Sequence, residues 1–168
     1  SAGGYLSYEN IADKATVAGV EVEIRKNLFV RPLSSAANGM NKLSFGLNGS
    51  YIYTNAKMPL ATVTTGSQLE GAAPWIANFD LSHNFTKGTH SFINTLVFNY
   101  VSDKIYTIGT QGYQDIMEQG MMTLDFVSQA KLNKYVSLTL KARNLLNPSY
   151  KLSRKANESG DKVVLSDY

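Results

Sequence analysis

Hydrophobic and polar residues alternate along several stretches of the chain, most clearly between Lys42 and Asn55. Leu43, Phe45 and Leu47 fall on one side of this stretch, and small polar residues or glycine stand between them. A period of two predicts a β-strand whose two faces meet unlike surroundings. By the same criterion we expect strands over 15–29, 42–55, 72–85, 91–106, 120–132 and 135–146, with another starting at Val163.

The strand over 135–146 shows why the pattern has two interpretations. Val136, Leu138 and Leu140 share a wholly apolar face, whereas Lys141 and Arg143 lie on the other. A soluble sandwich would bury the apolar face in its core. A membrane barrel would turn it to lipid and leave the cations in a wet lumen. This strand alone fits both.

Strand length and loop length favour the barrel. The clear strands run for about 13–15 residues, whereas strands in globular sheets usually have about five or six. The connections 56–71, 107–119 and 147–161 are long, 86–89 and 133–134 are short, and the turn-rich 31–41 is intermediate. Long loops on one side and short turns on the other are typical of outer-membrane barrels. In that arrangement the short turns face the periplasm.

Composition supports the same class of protein. Charged residues make up 17% of the chain, below the roughly 25% typical of soluble domains. The absence of cysteine excludes disulfides and cysteine-based metal sites. The net charge of +3 is scattered, so the sequence gives no indication of a nucleic-acid partner. No apolar run approaches the roughly 20 residues that a membrane helix needs.

Candidate functional residues are the charged side chains expected on the lumen face, which would hydrate the wall, contact an internal domain or line a substrate path. They are Glu21, Glu23, Arg25, Asp80, Asp125, Lys131, Lys141 and Arg143. His83 and His90 have no spaced partners that indicate a metal site. No catalytic constellation or phosphate-binding loop is recognisable, so we expect neither an enzyme nor a cofactor. Ligand selectivity would lie in the loops Lys57 to Gln68, Ile108 to Glu118 and Lys151 to Lys162, whose residues identify no ligand.

Five short motifs, in order, resemble the barrel of TonB-dependent outer-membrane receptors. The first is Gly19-Val20-Glu21-Val22-Glu23, and the second is Leu69-x-Gly71-x-x-Pro74-x-x-x-Asn78. The other three are Asn99-Tyr100 with Ile105, Leu124-Asp125, and Asn144-Leu145-Leu146-Asn147-Pro148-Ser149-Tyr150, where Pro148 is expected to end the strand. Each motif is weak, but their order over nearly the whole chain is informative.

The resemblance implies a 22-stranded antiparallel transmembrane β-barrel with an N-terminal plug inside it. Residues 1–168 would form part of that single barrel domain, about seven strands, with both ends interpreted as cuts and the final strand absent. The implied partners are the remaining strands and plug, the TonB complex, outer-membrane lipid and an unknown ligand. The implied function is energised uptake of a scarce nutrient, such as an iron chelate, across the outer membrane of a Gram-negative bacterium.

Two alternatives remain open at this point. A soluble β-sandwich, acting as a binding or adhesion module, predicts burial of a specific set of side chains: Leu43, Phe45, Leu47, Phe79 and Leu140. A small closed porin or a barrel phospholipase is the other alternative. The enzyme would need a Ser–His pair near the lipid face, where only His83 could serve.

Overall fold

The computed structural model of the protein describes residues 14–33, 39–57, 68–109, 113–155 and 162–167, and every regular element among them is a β-strand. The strands are β1 (Lys14–Leu33), β2 (Gly39–Lys57), β3 (Trp75–Lys87), β4 (His90–Val101), β5 (Lys104–Thr107), β6 (Ile116–Glu118), β7 (Met121–Lys131), β8 (Ser137–Ala142), β9 (Lys151–Lys155) and β10 (Lys162–Asp167). In these described ranges no helix is long and apolar enough to cross a membrane.

The strands form two antiparallel sheets that continue one another. The main sheet has the order β1-β2-β3-β4-β7-β8, and the second has the order β5-β6-β9-β10. Val101 pairs with Met121, and Lys104 pairs with Glu118 in the same register. Thus β4 with β5, and β6 with β7, are two arms of one long hairpin. Because β9 likewise follows β8, the ten segments amount to seven strands of an open antiparallel wall, as the sequence predicted.

The two short turns are confirmed, and each has a local cause. Gly88 has a φ of 60° in the tight turn between the paired residues Lys87 and His90, a conformation that costs glycine little. In the other turn, the Asn133 side-chain oxygen accepts hydrogen bonds from the backbone N–H groups of Tyr135 and Val136, at 2.8 and 2.9 Å. An asparagine that bonds the backbone two residues onward is a common turn former.

A bulge in β1 changes which side chains share a face. Asn27 pairs with Ser44, but Phe29, not Leu28, pairs with the next residue, Leu43. The extra residue reverses the alternation, so Phe29 and Arg31 join the apolar face. The prediction of a turn over 31–41 was wrong at both ends, because Arg31 to Leu33 and Gly39 to Asn41 belong to paired strands. Residues 34–38 of that stretch lie outside the described residues.

A second irregularity separates β8 from β9. Phe126 pairs with Ala142 and Glu118 pairs with Leu152, so the β8–β9 side spans two more residues than the β6–β7 side. The excess is taken up at Asn144 and Asn147, whose φ angles are 55° and 44°. The predicted end of the strand in the segment that contains Pro148 is confirmed, because the pairing of β8 stops at Ala142, but the ladder resumes at Lys151. The long loop predicted over 147–161 therefore contains β9.

The apolar face of this wall is not covered by any other part of the described chain. The buried apolar side chains among these residues are Ala56, Ala73 and Ile105, all near the end of the wall opposite the short turns, which we call the outer end. Leu47 is 43% exposed and Leu140 is 63% exposed, whereas Leu43, Phe45 and Phe79 are half-buried. The burial that a β-sandwich predicts is not observed. A sheet with one bare apolar face suits contact with lipid.

Candidate functional site: the polar face of the wall

One row of polar side chains crosses five strands of the main sheet. Residues directly opposite each other in an antiparallel pair project to the same face. The cross-strand partners run from Glu23 to Asn48, Asn78, Asn99 and Thr123. These five side chains therefore form a continuous line across one face, which we call the amide row.

Hydrogen bonds connect the members of the amide row to one another. The Asn78 side-chain amide donates to Asn48 Oδ1 at 3.2 Å, and Asn99 donates to Thr123 Oγ1 at 3.0 Å. Asn48 in turn donates to Glu21 Oε1 at 2.5 Å. Amide groups both donate and accept, so neighbouring asparagines can satisfy each other along a row. The candidate residues predicted for this face were all charged and so did not include these asparagines. The alternation nevertheless places Asn48 and Asn78 on the polar side.

A charged row lies beside the amide row, where Arg25, Gly46 and Asp80 are cross-strand partners. Arg25 Nε donates to Glu23 Oε1 at 2.5 Å, and Arg25 Nη1 lies 3.9 Å from Asp80 Oδ1. The Arg25 side chain is 71% exposed, so these pairs add little to stability. Their effect is to hold one guanidinium group between two carboxylates on an accessible surface.

The two rows enclose a shallow cavity of about 260 Å³, lined by Glu23, Arg25, Leu47, Asn48, Asn78 and Asp80. The cavity is lined by hydrogen-bond donors and acceptors, and by both positively and negatively charged side chains. A surface of this kind suits reversible contact with a polar ligand or a polar chain segment. Among the described residues there is no group of three metal-ligating side chains.

The structure brings together only half of the predicted charges. Glu21, Glu23, Arg25 and Asp80 belong to the network just described. Asp125, on β7, instead uses Oδ1 to accept a hydrogen bond from the Asn144 backbone N–H at 2.8 Å. The remaining predicted charges lie further along the wall: Lys131 pairs in register with Ser137, Lys141 pairs with Val127, and Arg143 follows β8.

The two histidines lie apart from this network. His83 Nε2 is 2.8 Å from Asn41 Oδ1, and alternation places both residues on the apolar face. His90 begins β4 next to the tight turn. Neither position was predicted to hold a metal or a catalytic group.

The outer end of the wall carries a second, smaller cavity of about 200 Å³. It is lined mainly by residues 107–109 and 113–116, together with Arg154. The Arg154 guanidinium group lies over the Tyr113 ring, with Cζ 5.3 Å from the ring centroid. The adjoining β2–β3 connection is fixed there too, because Glu70 accepts a hydrogen bond from the Ile108 N–H at 2.7 Å. Of the three predicted selectivity loops, residues 58–67, 110–112 and 156–161 lie outside the described residues.

Charge interactions at the outer end also affect Tyr150. Lys104 Nζ lies 3.0 Å from Glu118 Oε1, and the Tyr150 hydroxyl lies 3.5 Å from the other oxygen of the same carboxylate. Partial burial raises the pKa of Tyr150 above its ordinary value, and the negative charge of Glu118 raises it further.

The opposite face of the wall is apolar and carries aromatic residues near both ends. The tilted rings of Tyr51 and Trp75 contact each other at the outer end with centroids 4.5 Å apart, and Phe85 and Phe92 approach at 6.5 Å next to the short turn. An apolar band between two levels of aromatic residues is the surface that outer-membrane barrels present to lipid.

Comparison with known proteins agrees with this geometry. A family model described as "TonB dependent receptor-like, beta-barrel" matches residues 1–145. No curated protein and no solved structure matches the chain. The family match covers most of the sequence, and the alternating faces, long strands and short inner turns all fit a barrel wall. The chain therefore belongs to the TonB-dependent receptor-like β-barrel family.

Proposed function

We propose that this chain forms part of the barrel wall of a receptor that imports a scarce nutrient, an iron chelate or another large ligand, across the outer membrane. Membership of the family indicates an outer-membrane receptor or transporter. The observation that carries the proposal is the contrast between the two faces of one sheet. A hydrogen-bonded polar network occupies one face, and a bare apolar surface with aromatic residues at both ends occupies the other.

In this proposal the amide row and the charged row face the wet interior of the barrel. Their groups exchange hydrogen bonds with water, with a plug domain, or with a ligand that passes between plug and wall. The open cavity beside Arg25 and Asp80 would offer such groups several polar side chains at one place. The outer loops and the cavity beside Arg154 would provide the first contacts with the ligand.

The open edges of the sheet support the proposal of further strands as partners. In the described part of the chain, β1 pairs with β2 alone, so its other edge presents unpaired N–H and C=O groups. Such an edge is not tolerated in lipid. We propose that further strands of the same receptor close the barrel, up to the expected 22, and that residues 1–168 belong to one barrel domain. A plug and the TonB complex complete the assembly, and no nucleic-acid partner is proposed.

An uptake experiment tests this function. Cells that lack the receptor, cells that carry the full receptor, and cells that carry it without TonB would be supplied with a panel of radiolabelled iron chelates and other large nutrients. We expect at least one ligand to accumulate only when both the receptor and TonB are present. If no ligand in the panel requires both, or if uptake is unchanged without TonB, the proposal is wrong.

A matched pair of variants then tests the wall residues. Arg25→Gln removes the charge between Glu23 and Asp80, and Lys42→Gln removes a charge from the same face of the neighbouring strand, away from the cavity. We expect Arg25→Gln to reduce uptake more than Lys42→Gln at equal receptor abundance. Equal uptake by both variants would remove the cavity from the transport path.

A further inference from the structure

A polar patch interrupts the apolar face near the short turns. Leu43, His83, Asn94, Ser128 and Leu140 are cross-strand partners in one row of that face. Ser128 Oγ donates to Asn94 Oδ1 at 2.8 Å. His83 forms a hydrogen bond with Asn41. Asn41 is the next residue to Leu43 on the same face of β2. Four polar side chains thus lie together on a face that consists mainly of apolar side chains.

Two cations on β1 flank this patch. Lys26 belongs to the row of Phe45 and Leu81, on one side of His83, and Arg31 belongs to the row of Asn41 and Phe85, on the other. Arg31 is on this face because of the bulge at Leu28, and its guanidinium carbon lies 5.8 Å from the Phe29 ring centroid. The side chains of both cations are exposed.

Acidic residues are segregated to the other face. The six strands of the main sheet contain Glu21, Glu23, Asp80 and Asp125 as their acidic residues, and the register places all four on the polar face. On the described part of the apolar face, the cations Lys26 and Arg31 therefore meet no carboxylate of the wall. The patch is complementary to an anion that reaches it from the side of the membrane.

The position of the patch on the wall indicates which kind of anion would bind there. It lies between the Leu81–Leu96 row and the Phe85–Phe92 pair, close to the tight turn at Gly88. Aromatic residues of a barrel mark the level of the lipid headgroups, and long basic side chains next to that level extend toward the headgroups. A phospholipid presents a phosphate at this level and acyl chains at the level of Leu81 and Leu96.

We propose that the patch formed by Lys26, Arg31, Asn41, His83, Asn94 and Ser128 binds the phosphate headgroup of a phospholipid in the periplasmic leaflet. The assignment of the leaflet rests on the proposed function, which puts the short turns in the periplasm. Lys26 and Arg31 supply the positive charge, and the polar row supplies hydrogen-bonding groups. The acyl chains of the same lipid lie on the apolar rows above.

Lipid retention by the whole receptor tests this proposal. The full receptor would be equilibrated with nanodiscs of phosphatidylglycerol and phosphatidylcholine, extracted gently, and weighed by native mass spectrometry. A cation next to an anionic lipid surface contributes about fivefold in affinity. We therefore expect the double variant Lys26→Gln/Arg31→Gln to retain phosphatidylglycerol roughly 25-fold less strongly than the unaltered receptor.

Two control receptors make the result specific. Lys42→Gln removes a cation next to Asn41 in sequence but on the polar face, and it should leave lipid retention unchanged. Lys26→Arg/Arg31→Lys keeps both charges and should restore retention. The folding of each variant would be checked by gel electrophoresis of unheated and heated samples. A folded variant changes its migration when heating unfolds it.

The opposing outcomes are equally definite. Equal retention by the double variant and the unaltered receptor overturns the proposal, as does equal loss in Lys42→Gln. If the double variant instead loses a co-purifying membrane protein while lipid retention is unchanged, the patch is a protein interface. Because retention is measured without uptake, failure here is distinguishable from failure of the transport proposal.

Discussion

The carboxylate of Asp80 lies across the backbone of Gly46, its cross-strand partner on β2. A β-carbon added at Gly46 would overlap Asp80 Oδ1. Asp80 reaches toward Arg25 over this glycine, which is buried within the polar face. The absence of a side chain at position 46 therefore allows a carboxylate on β3 to approach a cation on β1.

Gly46→Ala should displace Asp80 and break its approach to Arg25. We expect a loss of no more than about 1 kcal/mol in the free energy of unfolding, because Asp80 is partly exposed and flexible and its pairing with Arg25 adds little to stability. Denaturant unfolding of the whole receptor in detergent measures it. Gly49→Ala is the matched control, because its added carbon meets nothing within 4 Å. Adding Asp80→Ala should relieve most of the cost, and equal costs for both glycine variants would contradict the steric explanation.

Asp125 should stabilise the irregular segment between β8 and β9. Its carboxylate accepts the Asn144 N–H, and the next N–H, that of Leu145, donates to the Leu124 carbonyl at 2.8 Å. We expect Asp125→Ala to cost about 1–2 kcal/mol locally and to speed hydrogen exchange at these two amides. Asp125→Asn keeps an acceptor oxygen and should restore much of the protection. Gln129→Ala, on the same face of β7, should leave exchange at these amides unchanged.

Asn144 itself should tolerate few substitutions, because its φ of 55° is in the left-handed region. Asn144→Gly should be nearly neutral, since glycine adopts this conformation readily. Asn144→Val should cost at least roughly 1–2 kcal/mol, since a β-branched side chain is strained there. Thermal unfolding of the two variants compares them directly. If valine is tolerated as well as glycine, the local backbone does not need this conformation.

Trp75 should report contact with lipid. It is 56% exposed on the apolar face and is the single tryptophan of the chain. In vesicles, the fluorescence difference between the unaltered receptor and Trp75→Phe isolates its emission. We expect brominated acyl chains to quench that component strongly and a water-soluble quencher to have little effect. The reverse pattern would place this face in water, and protection from both quenchers would indicate burial against protein, as the β-sandwich interpretation requires.

Tyr150 should ionise at a higher pH than an ordinary tyrosine side chain. Its raised pKa, caused first by partial burial and then by Glu118, means that the folded state holds the proton more tightly than the unfolded state. Its contribution to stability is therefore full below the unfolded pKa near 10 and is lost as pH rises through the folded pKa. Spectrophotometric titration of the unaltered receptor against Tyr150→Phe measures the midpoint. A midpoint at the ordinary value would contradict this environment.

Periodicity located the strands because lipid and water lie on opposite sides of the same sheet. The strands predicted over 42–55, 91–106 and 120–132 all correspond to observed strands, and 91–106 correctly bridged the interruption at Ser102 and Asp103. Beyond the membrane the two sides of the sheet are more alike. Alternation fades there, which is why β6 and β9 were predicted as loops.

Pairing between strands was not readable from the sequence. Asn94 interrupts the apolar alternation of its own strand, and its partner Ser128 lies on a different strand. The alternation through Leu28 gave no sign of the bulge, because Leu28, Phe29 and Val30 are three consecutive apolar residues that fit either face. The amide row was missed for a related reason: Asn48 and Asn78 are ordinary polar residues until the register makes them neighbours.

The two extra residues between β8 and β9 mean that the stagger of this sheet differs between its two ends. In a closed barrel, stagger, tilt and diameter are linked, so a barrel closed on this sheet would have different cross-sections above Asn147 and below Ala142. The width of such a barrel at its outer opening and its width within the bilayer would thus be set by different parts of the same strands. Sequence changes near the outer opening would then alter the shape of that opening without altering the width of the barrel within the membrane.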